Sequence, residues 1–376
     1  MSDLVKIIFV VNEANFFLSH RLRLAQEARA RNAEVLIVCG KGTGEEKFAD
    51  YGLRVRTISM SRSGFRPFKE LSTFQALRRL YRQEQPDLVH HVTIKPVIYG
   101  TPAARMAGVK AVVNAVPGMG FVFTGQGLLA RLRRMSVNLL YRLAMSHPNM
   151  RVIFQNNEDL EGFVSHTLLP RTSASLIRGS GVDLSRFVAT PEPAEPITFL
   201  LIGRMLRHKG VYEYVEAASI VAKQHPDWRF LLVGDVDPGN PASLSREELN
   251  TWHQAGQIEW LGHRDDVAAL MANCHVICLP SYREGLPKTL LEASACARPM
   301  ISSDAAGCRE VVREGVNGLI VPVRDHVSLA QAMQKLGHDA DLRERFGRAA
   351  RAKAEAVFSI EEVVIHTFRV YEELLA

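Results

Sequence analysis

Two glutamates, Glu284 and Glu292, stand eight residues apart in a segment that could bind a charged, hydroxyl-rich ligand. The segment, 280–292, follows an apolar strand and is broken by two prolines and a glycine before a helix begins. Glu284 precedes the helix, and Glu292 is expected about two turns into it. The helix start offers unpaired amides and a positive dipole end to phosphate, while carboxylates accept hydrogen bonds from hydroxyls. This combination predicts a site for a sugar nucleotide.

The pair reproduces the Glu-x7-Glu signature of the retaining family-4 glycosyltransferases, and the chain resembles that family over nearly its whole length. Pro299, Asp304 and Gly307 follow the pair as they do in the family. The resemblance implies transfer of a sugar from a nucleotide donor with retention of anomeric configuration. It also implies that Glu284 is catalytic and holds the donor sugar hydroxyls, and that Glu292 holds the ribose. The competing interpretation is an ordinary helix with solvated acids.

A second segment, 203–210, follows an apolar strand and carries Arg204 and Lys209. In the family such a segment clamps the donor diphosphate and acts in catalysis. The chemistry agrees, because fixed cations stabilise a leaving group that carries two or more charges. The alternative is a pair of surface cations, and Arg207 is expected to point away. The resemblance extends the donor-binding residues to Gly203, Arg264, Gly285, Leu286, Pro287 and Lys288.

Asp235 and Asp237 form an Asp-x-Asp sequence, which is typical of metal sites in a different glycosyltransferase fold. No neighbouring histidine or glutamate completes a ligand set, so a loop is favoured over a metal site. We therefore expect no metal and no other cofactor, and the nucleotide sugar is a substrate.

Polar residues also follow strands in the first half of the chain, and ligands of parallel α/β sheets bind at such strand ends. His90 and His91 end one strand, and only one of them can face the site because neighbouring strand residues point to opposite faces. The sequence leaves open which one does, and the alternative for each is a packing role. Lys95 suits an anionic acceptor. Asn15 and His20, after the first strand, complete the predicted acceptor side.

The first loop departs from the family pattern. Residues 13–15 read Glu-Ala-Asn, where the family usually carries a glycine pair that approaches the donor phosphate. We predict a loop over Asn12–Phe17 and a helix capped by Ser19. The run Phe16–Arg21 resembles a bacterial branch that extends sugars on undecaprenyl diphosphate, such as α-1,3-N-acetylgalactosaminyltransferases acting on lipid-linked bacillosamine. That resemblance implies a polyprenyl-diphosphate-linked saccharide as acceptor.

Composition narrows the classes of protein. The chain has 376 residues, is 47% hydrophobic and contains five cysteines without a Cys-x2-Cys pair, which predicts buried thiols rather than disulfides or zinc ligands. No apolar run reaches the ~18 residues that a spanning helix needs. The apolar residues 4–11 are typical of a first strand rather than of a signal peptide.

Charge is distributed unevenly between the two halves. Residues 1–185 carry 25 Lys and Arg against 14 Asp and Glu, and the remainder carries 21 against 26. The basic half predicts an anionic substrate or surface. Nucleic acid is not expected, because no helix-turn-helix, RNA-binding or zinc-finger signature is present.

The stretch 128–135 combines Arg131, Arg133 and Arg134 with leucines. It could lie in an anionic bilayer interface, or it could pack in the core with its arginines in water. Together with the lipid-linked acceptor, the first interpretation predicts a cytoplasmic protein bound peripherally to the inner face of the bacterial cytoplasmic membrane.

Alternating apolar strands and amphipathic helices predict an α/β protein. With the resemblance, the expected fold is GT-B, in which two doubly wound Rossmann-like domains face each other across a cleft. We place the acceptor-side domain at 1–188, the nucleotide-sugar-binding domain at 189–358, and a terminal helix returning to the first domain at 359–376. Three prolines in 191–196 mark the boundary.

The predicted function is therefore that of a retaining glycosyltransferase. It would move a hexose or N-acetylhexosamine from a UDP-sugar to a lipid-linked saccharide, in surface polysaccharide or glycoprotein glycan assembly. Two alternatives stay open. A sugar-nucleotide epimerase of similar fold would need acid–base residues across the cleft and no acceptor. A non-catalytic nucleotide-sugar-binding protein would have no reason to keep both glutamates and both cations.

Overall fold

The computed structural model describes residues 4–60, 67–116, 141–142, 144–165 and 169–376. The chain forms two compact units. One consists of Met1–Ser180 with Glu361–Ala376, and the other of Gly181–Ile360.

The first unit is built on a parallel sheet that has seven strands among the described residues, in the order β3-β2-β1-β4-β5-β6-β7. The strands are β1 (Lys6–Val11), β2 (Glu34–Gly40), β3 (Arg54–Ile58), β4 (Leu88–Val92), β5 (Ala111–Val116), β6 (Met150–Phe154) and β7 (Ala174–Leu176). The inner strands are almost continuously apolar because helices cover both faces of a parallel sheet.

Helices connect and cover these strands. They are α1 (Ala14–His20), α2 (Leu22–Ala30), α3 (Pro67–Glu84), α4 (Ile94–Ala107), α5 (Asn157–Ser165) and, from the end of the chain, α13 (Ile360–Leu375). The predicted loop over Asn12–Phe17 is wrong, since α1 already begins at Ala14. The helix forms there because Phe17 is fully buried, with its ring 5.4 Å from that of Phe9. Ser19 therefore lies inside α1 rather than at a helix start.

The second unit contains a parallel sheet of six described strands in the order β10-β9-β8-β11-β12-β13. The strands are β8 (Thr198–Ile202), β9 (Arg229–Val233), β10 (Glu259–Trp260), β11 (Val276–Leu279), β12 (Met300–Ser303) and β13 (Gly318–Val321). The helices are α6 (Val211–Ala222), α7 (Arg246–Gln254), α8 (Val267–Ala272), α9 (Lys288–Ala295), α10 (Ala306–Val311), α11 (His326–His338) and α12 (Ala340–Lys353).

Each sheet reverses its strand order beside its first strand. In the first unit β1 lies between β2 and β4, and in the second unit β8 lies between β9 and β11. Ligands of open α/β sheets bind outside the carboxyl ends of the strands at this reversal point. In the second unit the loops that leave β8 and β11 are the two segments predicted to bind the donor.

The proline segment expected to mark the boundary belongs to the second unit. Arg298 donates to the carbonyls of Thr190 at 3.0 Å and Pro191 at 3.1 Å. Arg343 donates to both carboxylate oxygens of Glu192. These buried arginines attach residues 190–192 to the second unit, so the units divide between Ser180 and Gly181 rather than at 188.

Helix α13 lies against the first unit. Its buried side chains share a core with strands β1, β2, β4 and β5. Val363, Val364, Phe368, Tyr371 and Leu374 supply most of this contact. The hydroxyl of Tyr371 also lies 2.6 Å from Nδ1 of His90 in β4.

Candidate active site

The loop after β8 is held rigidly at the carboxyl edge of the second sheet. Met205 and Leu206 are fully buried, and the amide of Met205 donates to the carbonyl of Asp235 at 3.0 Å. The amide of Arg207 donates to Ala242 at 2.8 Å. A single 3-10 turn, Arg207–Lys209, then leads into α6. The apolar residues of the loop anchor it, and its basic residues are left at the strand ends.

The loop after β11 packs directly on this turn. Gly210 has a φ of +75°, and a Cβ on it would lie only 2.1 Å from the carbonyl oxygen of Pro280. The amide of Tyr282 donates to the carbonyl of His208 at 2.9 Å. Only glycine allows this close approach at a positive φ. The two loops are therefore fixed against each other.

This packing brings the two central predicted residues together. The Nζ atom of Lys209 donates to Oε1 of Glu284 at 2.6 Å, and the side chains retain 19% and 12% exposure. A cation and a carboxylate in contact can bind complementary groups of one ligand, phosphate on the lysine and hydroxyl on the glutamate. Both side chains are accessible enough to contact a ligand.

Arg204 forms an ion pair with a residue that the sequence did not indicate as its partner. Its Nη1 donates to Oδ2 of Asp237 at 2.8 Å, and its side chain is half exposed. Asp237 is buried and follows β9, the neighbouring strand. The pair holds the guanidinium beside the carboxyl ends of the neighbouring strands β8 and β9.

The histidine between these cations stays neutral. Burial, and then the positive charge of Lys209, lower the pKa of His208 to about 4. The loop after β8 therefore presents two cations, Arg204 and Lys209, and a neutral imidazole near neutral pH.

Glu292 lies nearer the helix start than predicted. Helix α9 begins at Lys288, with Pro287 at its N-cap. Glu292 therefore lies about one turn from the helix start rather than about two turns. Its carboxylate is largely buried and lies 3.2 Å from Nζ of Lys288. Burial raises the pKa of Glu292, and the lysine acts in the opposite direction.

Four further residues that were predicted to bind the donor have backbone or core positions. The side chain of Leu286 is buried in the core, and Pro287 is buried at the helix cap. The carbonyl of Gly285 packs on Gly307, where a Cβ would approach it to 2.3 Å. Gly203 follows β8 and donates its amide to the carbonyl of Val233 at 2.9 Å. These four residues shape the loops rather than offering side-chain contacts.

Arg264 stands apart from this cluster. It follows β10, and its guanidinium forms an ion pair with Asp266, with Nε 2.8 Å from Oδ1. Both groups are exposed, and the pairing lowers the pKa of the Asp266 carboxyl. No described contact joins Arg264 to Glu284 or Lys209.

Both aspartates of the Asp-x-Asp sequence form ion pairs with arginines. Asp235 accepts two hydrogen bonds of 2.7 Å from Arg246, and Asp237 accepts the bond from Arg204. Among the described residues no group of three or more His, Cys, Asp or Glu side chains could hold a metal ion.

In the first unit, Lys95 lies in the first turn of α4 beside the reversal point. Its Nζ donates to Oε1 of Glu70 at 2.7 Å, and Glu70 is buried. Thr93, just before α4, has a φ of +77° and donates through its hydroxyl to Oδ1 of Asn12 at 3.0 Å. The loops after β1 and β4 are thereby joined, and Lys95 lies near their junction.

The structure corrects the expectation for the two histidines. Both rings are buried, so neither reaches a surface where an acceptor could bind. They do point to opposite faces, but helices cover both faces. His90 contacts Tyr371, whereas Nε2 and Nδ1 of His91 lie 2.9 Å from Tyr81 and Asn114 respectively. Burial lowers the pKa of His91 to about 4, so its ring is a neutral packing group.

Asn15 and His20 lie at the two ends of α1. Asn15 is exposed, and its amide donates to Thr43 at 3.4 Å. The ring of His20 stacks on Phe16 with centroids 4.1 Å apart. Asn15 therefore lies by the strand ends, whereas His20 is about one and a half turns further from them. The basic stretch with Arg131, Arg133 and Arg134 lies outside the described residues.

Comparison with known proteins defines the class. The family model for glycosyl transferases group 1 matches residues 185–353, and the glycosyl transferase 4-like model matches residues 6–156. Together they match most of the chain, with the candidate site inside the first of them. The chain belongs to the group 1, family-4-like glycosyltransferases, and it is an enzyme of that class.

Two relatives are similar over most of their length. A Campylobacter jejuni N,N'-diacetylbacillosaminyl-diphospho-undecaprenol alpha-1,3-N-acetylgalactosaminyltransferase is 29% identical over 96% of this chain and 98% of its own. An Escherichia coli UDP-Gal:alpha-D-GlcNAc-diphosphoundecaprenol alpha-1,3-galactosyltransferase is 26% identical over 81% of this chain and 80% of its own.

Solved structures establish the fold. Anabaena HepE in complex with UDP-glucose matches with a TM-score of 0.79 over 98% of this chain and 99% of its own, at 18% identity. The sucrose-phosphate synthase from Thermosynechococcus elongatus matches with a TM-score of 0.80 over 98% and 99%, also at 18% identity. The predicted GT-B fold is confirmed.

Proposed function

We propose that this chain transfers a hexose or N-acetylhexosamine from a UDP-sugar to a saccharide linked to polyprenyl diphosphate, with retention of anomeric configuration. The product would enter surface polysaccharide or glycoprotein glycan assembly. The contact between Lys209 and Glu284 at the strand ends carries the proposal, because it sets a phosphate-binding cation beside a hydroxyl-binding acid.

In this proposal the charged residues of the site bind three parts of the donor. Arg204 and Lys209 bind the donor diphosphate, Glu284 binds hydroxyls of the donor sugar, and Glu292 binds the ribose. The helix start at Lys288 adds amides without intrahelical partners. The Lys209 ammonium has further N–H donors, so it can donate to phosphate while it stays in contact with Glu284, whose remaining lone pairs accept sugar hydroxyls.

The proposed reaction takes place on one face of the sugar. The bond from the anomeric carbon to the diphosphate oxygen breaks, and a bond to the acceptor hydroxyl oxygen forms on the same side. The acceptor proton moves to the departing phosphate oxygen. Arg204 and Lys209 stabilise the negative charge that develops on the diphosphate, which is where fixed cations contribute most.

The acceptor assignment depends on the relatives and on the basic first half of the chain. Both relatives described above are named for acceptors on diphospho-undecaprenol. Lys95, at the reversal point of the first sheet, offers a cation to an acceptor diphosphate. We therefore place the acceptor on the first unit.

A donor and acceptor panel tests this function. The donors are UDP-N-acetylgalactosamine, UDP-galactose, UDP-glucose and UDP-N-acetylglucosamine. The acceptors are polyprenyl-diphosphate-linked N-acetylglucosamine, the corresponding N,N'-diacetylbacillosamine lipid, and a soluble N-acetylglucosamine glycoside. We expect mass spectrometry to show one added sugar on a lipid-linked acceptor. Interconversion of the UDP-sugars without transfer would instead indicate an epimerase and contradict the proposal.

Activity is expected to survive metal chelation. Cationic side chains occupy the phosphate-binding positions, and both aspartates of the Asp-x-Asp sequence already pair with arginines. Turnover should be the same with EDTA as with Mg²⁺ or Mn²⁺, measured beside a metal-dependent glycosyltransferase as the control. Loss of turnover in EDTA that either metal restores would show that the donor site needs a cation.

Glu292→Gln is expected to raise the donor KM roughly 5- to 10-fold with little change in kcat, since ribose contacts are equal in ground and transition states. Because burial raises the pKa of Glu292, wild-type donor affinity should fall on acidification, beginning above the ~4.3 of an ordinary glutamate. The variant should lose that part of the pH dependence. KM measured between pH 5.5 and 8 tests both statements, and a variant that lowers kcat alone would contradict them.

Membrane binding is expected to be peripheral and salt-sensitive. No described helix is long and apolar enough to cross a bilayer. We propose attachment to the inner face of the cytoplasmic membrane through the basic first half, since each nearby Lys or Arg contributes ~1 kcal/mol at an anionic surface. The protein should co-sediment with phosphatidylglycerol vesicles at low salt and be released at high salt.

Two charge-reversal variants locate the membrane contact. The variant with Arg131→Glu, Arg133→Glu and Arg134→Glu should bind the vesicles more weakly. The control, with Lys335→Glu, Arg345→Glu and Arg348→Glu, makes the same charge change at exposed helical positions of the second unit and should bind like wild type. Wild-type protein that stays in the supernatant at every salt concentration would contradict membrane attachment.

A further inference from the structure

On the basis of the function proposed above, we propose that Tyr282 is a positioning residue that fixes Glu284 beside Lys209. Tyr282 lies two residues before Glu284 in the loop after β11. Tyr282 fixes Glu284 by anchoring this loop to Glu213 in α6 and to Arg324 after β13.

The hydroxyl of Tyr282 makes one short hydrogen bond. It donates to Oε1 of Glu213 at 2.6 Å. The other carboxylate oxygen of Glu213 is buried and has no hydrogen-bond partner among the described residues. A carboxylate in this state depends strongly on its one donor, because an unsatisfied buried acceptor is costly. The bond therefore ties the loop firmly to the first turn of α6.

The ring of Tyr282 is held by a cation. The guanidinium of Arg324 lies 4.6 Å from the ring centroid, within the range of a cation–π contact. Arg324 has a φ of +64°, a conformation that non-glycine residues rarely adopt. Burial and the bond to Glu213 raise the pKa of Tyr282 to about 12, so the hydroxyl remains a donor at neutral pH.

Backbone contacts fix the loop on both sides of this anchor. The carbonyl of Ser281 accepts from the hydroxyl of Ser303, and the amide of Tyr282 donates to His208. Downstream, a Cβ on Gly307 would lie 2.8 Å from the carbonyl of Glu284. Between these backbone contacts, Tyr282 supplies a side-chain anchor that reaches α6 and the loop after β13.

In this arrangement Tyr282 supports the site and takes no part in the reaction itself. Its hydroxyl is engaged by Glu213 and its ring by Arg324. The backbone amide of residue 282 donates to His208, the neighbour of Lys209, so the segment that Tyr282 anchors lies next to both residues of the Lys209–Glu284 contact. A small displacement of this contact would misplace Glu284 relative to the donor sugar, and such misplacement lowers turnover without removing any reacting group.

Four variants test the proposal with the donor and acceptor that the panel identifies. Y282F and E213A each remove one side of the hydrogen bond, E213Q keeps an acceptor for the tyrosine, and the double variant Y282F/E213A removes both sides. Y212F is the matched control, because the hydroxyl of Tyr212, in α6, also donates to a glutamate, Glu248, at 2.5 Å, away from the loop. The measurements are kcat, donor KM, UDP affinity by calorimetry and thermal melting.

We expect Y282F and E213A each to lower kcat about 10-fold, with donor KM and UDP affinity within about twofold of wild type. E213Q should retain at least half of the wild-type kcat, and Y212F all of it. The double variant should be no slower than either single variant, because both remove the same contact.

Several results would overturn the proposal. One is a wild-type kcat in Y282F. Another is a loss of kcat in the double variant that equals the product of the two single losses. A third is a loss of UDP affinity that matches the loss of kcat. If Y282F melts below the assay temperature, equal kcat values for E213Q and E213A overturn it instead. E284Q in the same assay distinguishes a failure of the positioning role of Tyr282 from a failure of the role proposed for Glu284. An impaired E284Q with an unimpaired Y282F overturns the positioning role alone, whereas an unimpaired E284Q overturns the assigned role of Glu284 as well.

Discussion

Replacing Lys209 with alanine is expected to lower kcat by about 30- to 1,000-fold, which corresponds to ~2–4 kcal/mol of transition-state stabilisation. Lys209 supplies a partly buried ammonium where the diphosphate charge develops, and it also holds Glu284 through the 2.6 Å contact. The variant loses both. Steady-state kinetics with the donor and acceptor identified by the panel measures the effect.

Arg204→Ala should act in the same direction but towards the lower end of that range. The Arg204 side chain is half exposed, and solvent screens its charge more than that of Lys209. Arg207→Ala is the matched control, because this neighbouring guanidinium lies 4.9 Å above the ring of Tyr212. Equal losses in the Arg207 and Lys209 variants would show a general effect of charge rather than a diphosphate contact.

Glu284→Gln is expected to lower kcat roughly 100-fold while the donor KM changes by less than about threefold. Glutamine keeps the shape of the side chain but removes the charge that strengthens its hydrogen bonds to the sugar. It also weakens the bond to Lys209, so part of the loss should be shared with the Lys209 variant. Measurement of kcat and KM for both single variants and the double variant separates these contributions.

Glu216→Gln is the control for this prediction, since it removes an exposed carboxylate from α6 in the same unit. It should leave both kinetic constants unchanged. The assignment of the two site glutamates would be refuted by the opposite pattern, in which Glu284→Gln raises the donor KM and Glu292→Gln lowers kcat.

The α/β architecture could be predicted from the sequence because strands buried on both faces are continuous apolar runs. Thr198–Ile202 and Val276–Leu279 are examples, and each is followed by a loop that holds basic or acidic residues. Parallel strands place such loops at one edge of the sheet. The common location of Arg204, Lys209 and Glu284 could therefore be predicted.

The partners of these residues could not be predicted, because they depend on long-range packing. Lys209 and Glu284 are 75 residues apart in the chain, and Tyr282 and Glu213 are 69 apart. Gly210 makes the first of these contacts possible, since a side chain there would collide with Pro280. Nothing in the local sequence around Gly210 indicates which strand end it meets.

The two histidines show the limit of the strand-alternation rule. The rule correctly predicts that His90 and His91 point to opposite faces, but it cannot tell an open face from a covered one. The contact of His90 with Tyr371 is made by α13, from the far end of the chain. Similarly, buried Arg298 and Arg343 decide that the proline segment stays with the second unit.

The configuration of the product tests the central claim most directly. UDP-N-acetylgalactosamine and the other donors of the panel carry the sugar in α linkage. The proton NMR spectrum of the purified product therefore reports the outcome through the coupling between the first two ring protons. We predict the small coupling of an α-linked sugar on the lipid-linked acceptor. The large coupling of a β-linked sugar would contradict the proposed retaining transfer.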